Sequence, residues 1–322
     1  MSRTVQPLAG VNKKDFLSVL DFGPAELERC IDLAAHMKRD RPLGPRASTA
    51  GALAGAHVAL LFDKPSLRTR STFEIAIHEL GGASVTLPPD VALGTREPAA
   101  DVARNLERWV AAAVIRTSSH ATMVEFALAA PRLHVVNALT DEEHPCQALA
   151  DFLTLREHWG GWHNRTLAFV GDGNNVATSL AHASAMLGTS FRIASPKGYE
   201  IPGRVVAECE TIARHGGSVR LFTDPAEAVR DADAIYTDVW TSMGQEAEAD
   251  RRRKAFAAYQ VNDDLLRCAK AGAVFMHCLP ARRGEEVTAA VMESAASVVF
   301  DQAENRLHTQ KALLLMLLGG RQ

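Results

Sequence analysis

The sequence predicts an α/β fold of two domains, each an open, mainly parallel sheet flanked by helices, the two joined by long helices. Three observations predict it. Short apolar runs, often β-branched, alternate along the chain with longer stretches of helical periodicity, which is the pattern of βαβ units. The chain has 322 residues, enough for two domains at roughly 150 residues each. Its polar clusters fall directly after the strand candidates, and parallel sheets bind ligands beyond the carboxyl ends of their strands.

In the first half, residues 57–62 read as a strand, followed by a helix over about 71–80 that ends at Gly81-Gly82. Phe73, Ile77 and Leu80 share one face of that helix. Residues 83–87 make a second strand, 100–109 a helix, 112–116 a third strand and 133–137 a fourth. From 144 to 159 the periodicity is helical again, with Leu149, Phe152, Leu153 and Trp159 on one face, and this helix links the halves. The second half repeats the scheme, with strands near 167–170, 191–194, 219–222, 234–237 and 273–277 and helices over 176–187 and 204–215. Residues 298–300 read as a last strand and 306–318 as a last helix. The expected division is residues 1–145, with the terminal helix at about 305–322, against residues 146–304.

Composition narrows the function classes. Lys and Arg number 35 and Asp and Glu 38, a net charge of −3, so no chain-wide basic footprint for nucleic acid is expected. Aromatic residues make up only 6%, which argues against a base-stacking surface. With 47% hydrophobic and 23% charged residues the chain reads as globular and not disordered. The five cysteines, Cys30, Cys146, Cys209, Cys268 and Cys278, are scattered without a C-x-x-C pair, so neither a disulfide framework nor a zinc ribbon is suggested. The opening residues lack the apolar core of a secretion signal, and the apolar run at 312–318 is too short to cross a bilayer. A cytoplasmic protein without membrane or nucleic-acid partners is the expectation.

The polar clusters carry the chemistry. The first runs from Lys64 through Ser66-Leu67-Arg68-Thr69-Arg70 to Glu74, after a strand and at a helix mouth. Arginine is unfavourable at that end of the helix dipole unless an anion compensates it, so guanidinium forks and hydroxyls here point to a phosphate cradle. Arg116 ends a strand and by itself reads more simply as a surface ion pair. His144-Pro145-Cys146-Gln147 opens the linking helix. Pro145 suits the first helical position, and His144 and Gln147, three apart, serve equally as a cap or as a pair of groups aimed at a small polar ligand. Gly171-Asp172-Gly173-Asn174-Asn175 imitates a dinucleotide turn but lacks its last glycine. Asp238-Val-Trp-Thr-Ser242-Met243-Gly244 offers one carboxylate and a polar loop suited to an amine, and the basic run Arg251 to Lys254 behind it reads as a solvated face. His277 and Cys278 are expected to alternate across a strand and therefore not to share a metal. Arg306 opens the expected last helix. The sequence lacks the H-E-x-x-H, G-x-S-x-G and P-loop patterns.

Ser-x-Arg-Thr-Arg, His-Pro-Cys-Gln, Gly-Asp-Gly-Asn-Asn, Asp-Val-Trp-Thr-Ser-Met-Gly-Gln-Glu and His-Cys-Leu-Pro occur here in the order they take in the carbamoyltransferases. From about residue 14 to 318 the chain resembles the ornithine branch of the aspartate/ornithine carbamoyltransferase family. The resemblance implies transfer of the carbamoyl group of carbamoyl phosphate to L-ornithine, giving citrulline and phosphate. It implies no metal or organic cofactor, and assembly as homotrimers or multiples of trimers. By the same resemblance Ser66, Leu67, Arg68, Thr69, Arg116, His144, Gln147 and Arg306 would hold carbamoyl phosphate, and Asn175, Asp238, Ser242 and Met243 the acceptor. Cys278 and Leu279 would lie between the two ligands, and Arg68, His144 and Cys278 would be catalytic. The sequence departs from the family pattern at Leu67, where threonine is usual, at Ala92, where a glutamine is common, and at Arg282, where histidine or an aromatic is common. Leu67 and Arg282 resemble the acylated-ornithine transferases, which keeps an N-acylated ornithine or another diamine open as acceptor. A homologue that only binds carbamoyl phosphate is the remaining alternative. A nicotinamide-dependent oxidoreductase has only the Gly171-Asp-Gly turn in its favour.

Overall fold

The computed structural model describes residues 15–88, 93, 96–241 and 246–319. These divide into two compact units, one formed by the chain up to Leu153 together with Glu304 onward, the other by Thr154–Ala303.

The first unit contains α1 (Pro24–Asp40), β1 (His57–Phe62), α2 (Leu67–Glu79), β2 (Ala83–Leu87), α3 (Ala99–Leu106), β3 (Ala112–Arg116), α4 (His120–Ala129) and β4 (His134–Leu139). It also holds the start of α5 (Pro145–Trp159). The second holds β5 (Thr166–Val170), α6 (Asn175–Leu187), β6 (Ser190–Ala194), α7 (Gly203–Ile212), β7 (Ser218–Phe222) and α8 (Pro225–Val229). It continues with β8 (Ala234–Thr237), α9 (Ala249–Phe256), α10 (Asp263–Arg267), β9 (Val274–His277) and α11 (Ala289–Met292), and α12 (Val299–Leu318) ends in the first unit. None of the described helices is long and apolar enough to cross a membrane.

Both sheets are parallel throughout, with strand orders β2-β1-β3-β4 and β7-β6-β5-β8-β9. Each order reverses direction once, between β1 and β3 in the first sheet and between β5 and β8 in the second. Such a reversal leaves a crevice at the carboxyl ends of the two strands, because their crossovers leave to opposite sides. The central strands are buried on both faces: Val58 to Leu61 and Ala112 to Ile115 have no exposed surface, as have Leu167 to Val170. Such strands carry continuous apolar runs where half-buried ones alternate. Phe73 and Ile77 on α2 and Leu80 at its C-cap are fully buried, as their spacing predicts.

Three elements differ from the sequence expectation. Helix α2 begins four residues early, at Leu67, so Arg68 and Thr69 lie in its first turn and not ahead of it. Residues 298–300 form no strand: Ser297 makes a single bridge to Phe275, and α12 starts at Val299. The run was too short to tell a strand from the first turn of a buried helix. Arg306 therefore lies well inside α12 instead of opening it. Helices α1 and α4 drew no expectation, although α1 carries Pro24 at its first position and buries Leu27, Cys30, Ile31, Ala34 and Met37 along one stripe.

The turn after β5 tolerates only glycine at its second glycine position. A Cβ on Gly173 would stand 2.1 Å from the Ile201 nitrogen, a backbone atom that cannot swing away. Gly173→Ala is expected to destabilise the fold by about 1–3 kcal/mol, whereas Gly203→Ala, which meets nothing within 4 Å, should stay within about 0.5 kcal/mol. Urea denaturation of the two variants checks the contrast.

Candidate active site

In the first unit the reversal point lies between Phe62 and Arg116, register partners at the carboxyl ends of β1 and β3. Ser66 precedes α2 in the N-cap position, yet its side chain makes no capping bond. Its hydroxyl instead accepts a hydrogen bond from Arg116 Nη1 at 3.2 Å. Thr69, with 1% of its surface exposed, accepts from Arg116 at 3.4 Å and from Arg306 Nη2 at 2.6 Å. Arg306 Nη1 donates to Gln147 Oε1 at 2.7 Å. Arg68 acts on the same place, since Arg306, Arg116 and Arg68 all bear electrostatically on His144. Arg70 does not join them: it is exposed and pairs with Glu74 along the helix at 3.0 Å. Arg116, ambiguous by itself, thus belongs to a cluster assembled from three distant stretches of chain.

His144 is 4% exposed. Burial, reinforced by Arg306, Arg116 and Arg68, holds its imidazole well below the usual histidine range. It is therefore a neutral hydrogen-bonding group at pH 7. Cys146 beside it is buried, and its thiol lies 3.2 Å from the Asn137 carbonyl oxygen. Desolvation, only partly opposed by Arg306, pushes that thiol up to about 12, which fits a packing role. Leu67 is 77% exposed on the first turn of α2.

The second unit presents its own crevice, between β5 and β8. Asn174 caps α6, its Oδ1 accepting from the Val176 and Ala177 N–H groups, while its Nδ2 donates to Asp238 Oδ2 at 2.8 Å. The Cys278 thiol donates to Asp238 Oδ1 at 3.1 Å, and the Val239 N–H donates to the same oxygen at 2.8 Å. His277 and Glu286 are both fully buried and lie 3.2 Å apart. The Leu279 N–H donates to His277 Nδ1 at 2.8 Å, so the ring proton is on Nε2, facing Glu286. Leu279 itself has φ +58° and is followed by a cis bond to Pro280. The expectation that His277 and Cys278 point apart is corrected, because Cys278 lies beyond the end of the strand. Strand β9 ends at His277, and ligand atoms of Asp238, His277 and Cys278 lie within 4.8 Å of one another. The imidazole is already engaged at both nitrogens.

A second correction concerns the basic run. Arg252 is only 4% exposed, not part of a solvated face. It donates to the Asp172 carboxylate and to the Trp240 carbonyl, and its guanidinium stacks over the Tyr199 ring with 4.8 Å to the centroid. Burial, opposed by Arg252 and reinforced by Asp238, pushes the Asp172 carboxyl up to about 6. Asn175 opens α6. Ser242, Met243 and Ala92 lie outside the described residues.

Each unit of the chain matches a family model. The family model described as the carbamoyl-P binding domain of aspartate/ornithine carbamoyltransferase matches residues 14–157, and the one described as its Asp/Orn binding domain matches 163–317. The chain belongs to the aspartate/ornithine carbamoyltransferase family. An ornithine carbamoyltransferase of Acidothermus cellulolyticus is 52% identical over 96% of this chain and 98% of its own. One from Archaeoglobus fulgidus is 47% identical over 95% and 98%. Among solved structures, that of the Pyrococcus furiosus ornithine carbamoyltransferase superposes with a TM-score of 0.91 at 45% identity, covering 98% of this chain and all of that one.

Sequence reasoning missed Asn174, Asp172 and Arg252. Asn174 had a signal, since asparagine immediately before a helical run is a preferred cap. Arg252 had none, because a buried arginine inside a basic run reads like its exposed neighbours.

Two outcomes are expected. Arg252→Ala removes the cation beside a buried carboxylate and should cost about 3–5 kcal/mol of stability. Arg253→Ala, half-exposed, should change stability by less than about 1 kcal/mol, and chemical denaturation separates the two. For His144, the unfolded chain gains a proton as pH falls through about 6.5, whereas the folded chain resists until well below it. The residue's share of stability is thus complete above 6.5 and declines below it. His144→Gln should therefore lose less stability than the parent chain between about pH 7.5 and pH 5.5.

Proposed function

We propose that the chain transfers the carbamoyl group of carbamoyl phosphate to the side-chain amine of L-ornithine, producing L-citrulline and phosphate. The observation that carries this reading is the linking of Arg116 and Arg306 through Thr69 and Gln147, with Arg68 beside Thr69 in the first turn of α2, in a family whose named relatives are ornithine carbamoyltransferases. A cluster of guanidinium groups at a helix mouth suits a compact dianion. In this reading Ser66, Thr69, Arg68, Arg116 and Arg306 hold the phosphate, and Leu67 contributes its N–H where a hydroxyl would otherwise stand. The carbonyl oxygen faces Arg68, Thr69 and His144. As the amine attacks the carbonyl carbon, negative charge grows on that oxygen, and donors fixed beforehand stabilise it without reorganising. The C–O bond to phosphate then breaks, and the arginines neutralise the departing phosphate.

The acceptor must arrive as a free amine. With a lysine-like pKa near ~10.4, holding it neutral at pH 7 costs roughly 4–5 kcal/mol at ~1.36 kcal/mol per unit. Partial desolvation in the second unit's crevice lowers that demand. Asn175, Asp238, Ser242 and Met243 hold the amino acid in this reading, while Cys278, hydrogen-bonded to Asp238, handles the proton beside the attacking nitrogen and Leu279 lines the same place. A cytoplasmic homotrimer, or a multiple of one, serving arginine biosynthesis is the accompanying reading, supported by the family resemblance.

An acceptor panel at fixed carbamoyl phosphate tests the assignment by ureido product formation. Ornithine should give the highest kcat/KM, and an acylated ornithine outperforming it, or the absence of citrulline, would overturn it. Arg68→Ala should lower kcat/KM by at least about a hundredfold, whereas Cys146→Ala should change it no more than a few-fold.

A further inference from the structure

The Gln147 carboxamide has two chemically opposite ends, and the structure fixes which one faces the arginines. Its Oε1 accepts from Arg306 Nη1 at 2.7 Å, and its Nε2 donates to Asp151 Oδ1 at 2.7 Å. Asp151 lies four residues further along α5, one helical turn away on the same face. It has no exposed surface, and Gln147 has 1%. A guanidinium only donates and an ionised carboxylate only accepts. Between them the amide has a single orientation that satisfies both ends. In the flipped amide, NH2 would meet guanidinium and carbonyl oxygen would meet carboxylate, leaving buried groups opposed at each end.

We infer that Asp151 is a positioning residue that locks the Gln147 amide with its oxygen toward the donor pocket, so that the pocket selects a ligand whose end group donates hydrogen bonds. A carbamoyl NH2 does so, and an acetyl methyl of nearly the same size does not. The inference rests on the carbamoyl phosphate reading above. It deepens that reading by naming what distinguishes one acyl phosphate from another. The arginines recognise the phosphate common to both, so discrimination falls to the acyl end. Arg306 also donates to Thr69, which in turn accepts from Arg116, so the Gln147 oxygen is tied to the same cluster.

Asp151→Asn tests this, because asparagine keeps the volume but brings its own NH2 and accepts either amide orientation. The measured quantities are KM for carbamoyl phosphate and the inhibition constants of acetyl phosphate and inorganic phosphate on the whole enzyme. Ratios of these constants do not depend on the fraction of enzyme folded, so partial misfolding does not obscure the result. Asp151→Asn should raise KM for carbamoyl phosphate about tenfold while both inhibitors stay within about twofold, which shrinks discrimination against acetyl phosphate by about the same tenfold. Asp151→Glu should restore part of it. In a Gln147→Met background the Asn substitution should have no further effect on that ratio, since its route of action is gone. Equal weakening of all three anions, or unchanged discrimination, would overturn the inference. Parent enzyme that makes citrulline but shows either result in the variant refutes Asp151 alone. Parent enzyme that neither makes citrulline nor distinguishes the two acyl phosphates refutes the underlying reading.

Discussion

Like charges held close together are the constraint on which the first unit is built. Arg116 stands at the end of a strand, Arg68 in the first turn of a helix and Arg306 deep in the terminal helix. No one of these elements gathers the charges; the sheet order does, by opening a crevice between β1 and β3 and letting α2 and α12 reach it. Their repulsion is tempered by neutral oxygens, the hydroxyls of Ser66 and Thr69 and the amide of Gln147. The same field, acting with burial, keeps His144 uncharged. A pocket that is cationic overall yet contains a neutral imidazole can grip phosphate without placing another full charge against the reacting carbonyl.

The second unit has the opposite electrostatic character. Asp172, Asp238 and Glu286 gather about the ends of β5, β8 and β9, and Arg252, buried with them, is taken up by Asp172 and by aromatic rings. Asp238 is held by three donors, from Asn174, Cys278 and its own neighbour Val239. Such a carboxylate is positioned on both oxygens before any ligand arrives. Two βα scaffolds of one architecture therefore carry two signs of charge, matching an anionic group donor and an amine acceptor. Loop chemistry at strand ends, not the fold, assigns the roles.

Much of this was legible in the sequence because parallel sheets announce themselves. Their central strands are apolar without interruption, and the residues after them are free to carry chemistry. Ser66, Arg68, Thr69 and Gln147 stood in short ordered motifs after strands, whereas Arg116 and Arg306 drew their expected roles from the family resemblance. What stayed hidden depended on neighbours remote in the chain. Arg252 looked like its exposed companions until Asp172, 80 residues earlier, appeared beside it. The convergence of His277 and Cys278 was masked because β9 ends at His277, one residue before the alternation was expected to stop. Residues 298–300 failed for a different reason, since three apolar residues satisfy a strand and a helix equally well.

The placement of Arg306 has a consequence for synthesis. Thr69 and Gln147 receive it across 237 and 159 residues of chain, from α12. A ribosome makes domains in order, and those complete in sequence can fold as they emerge. Here the second unit is finished within the chain's interior, whereas the first waits for its last helix. The anion pocket is begun early in translation and closed only after the second unit and α12 have been made.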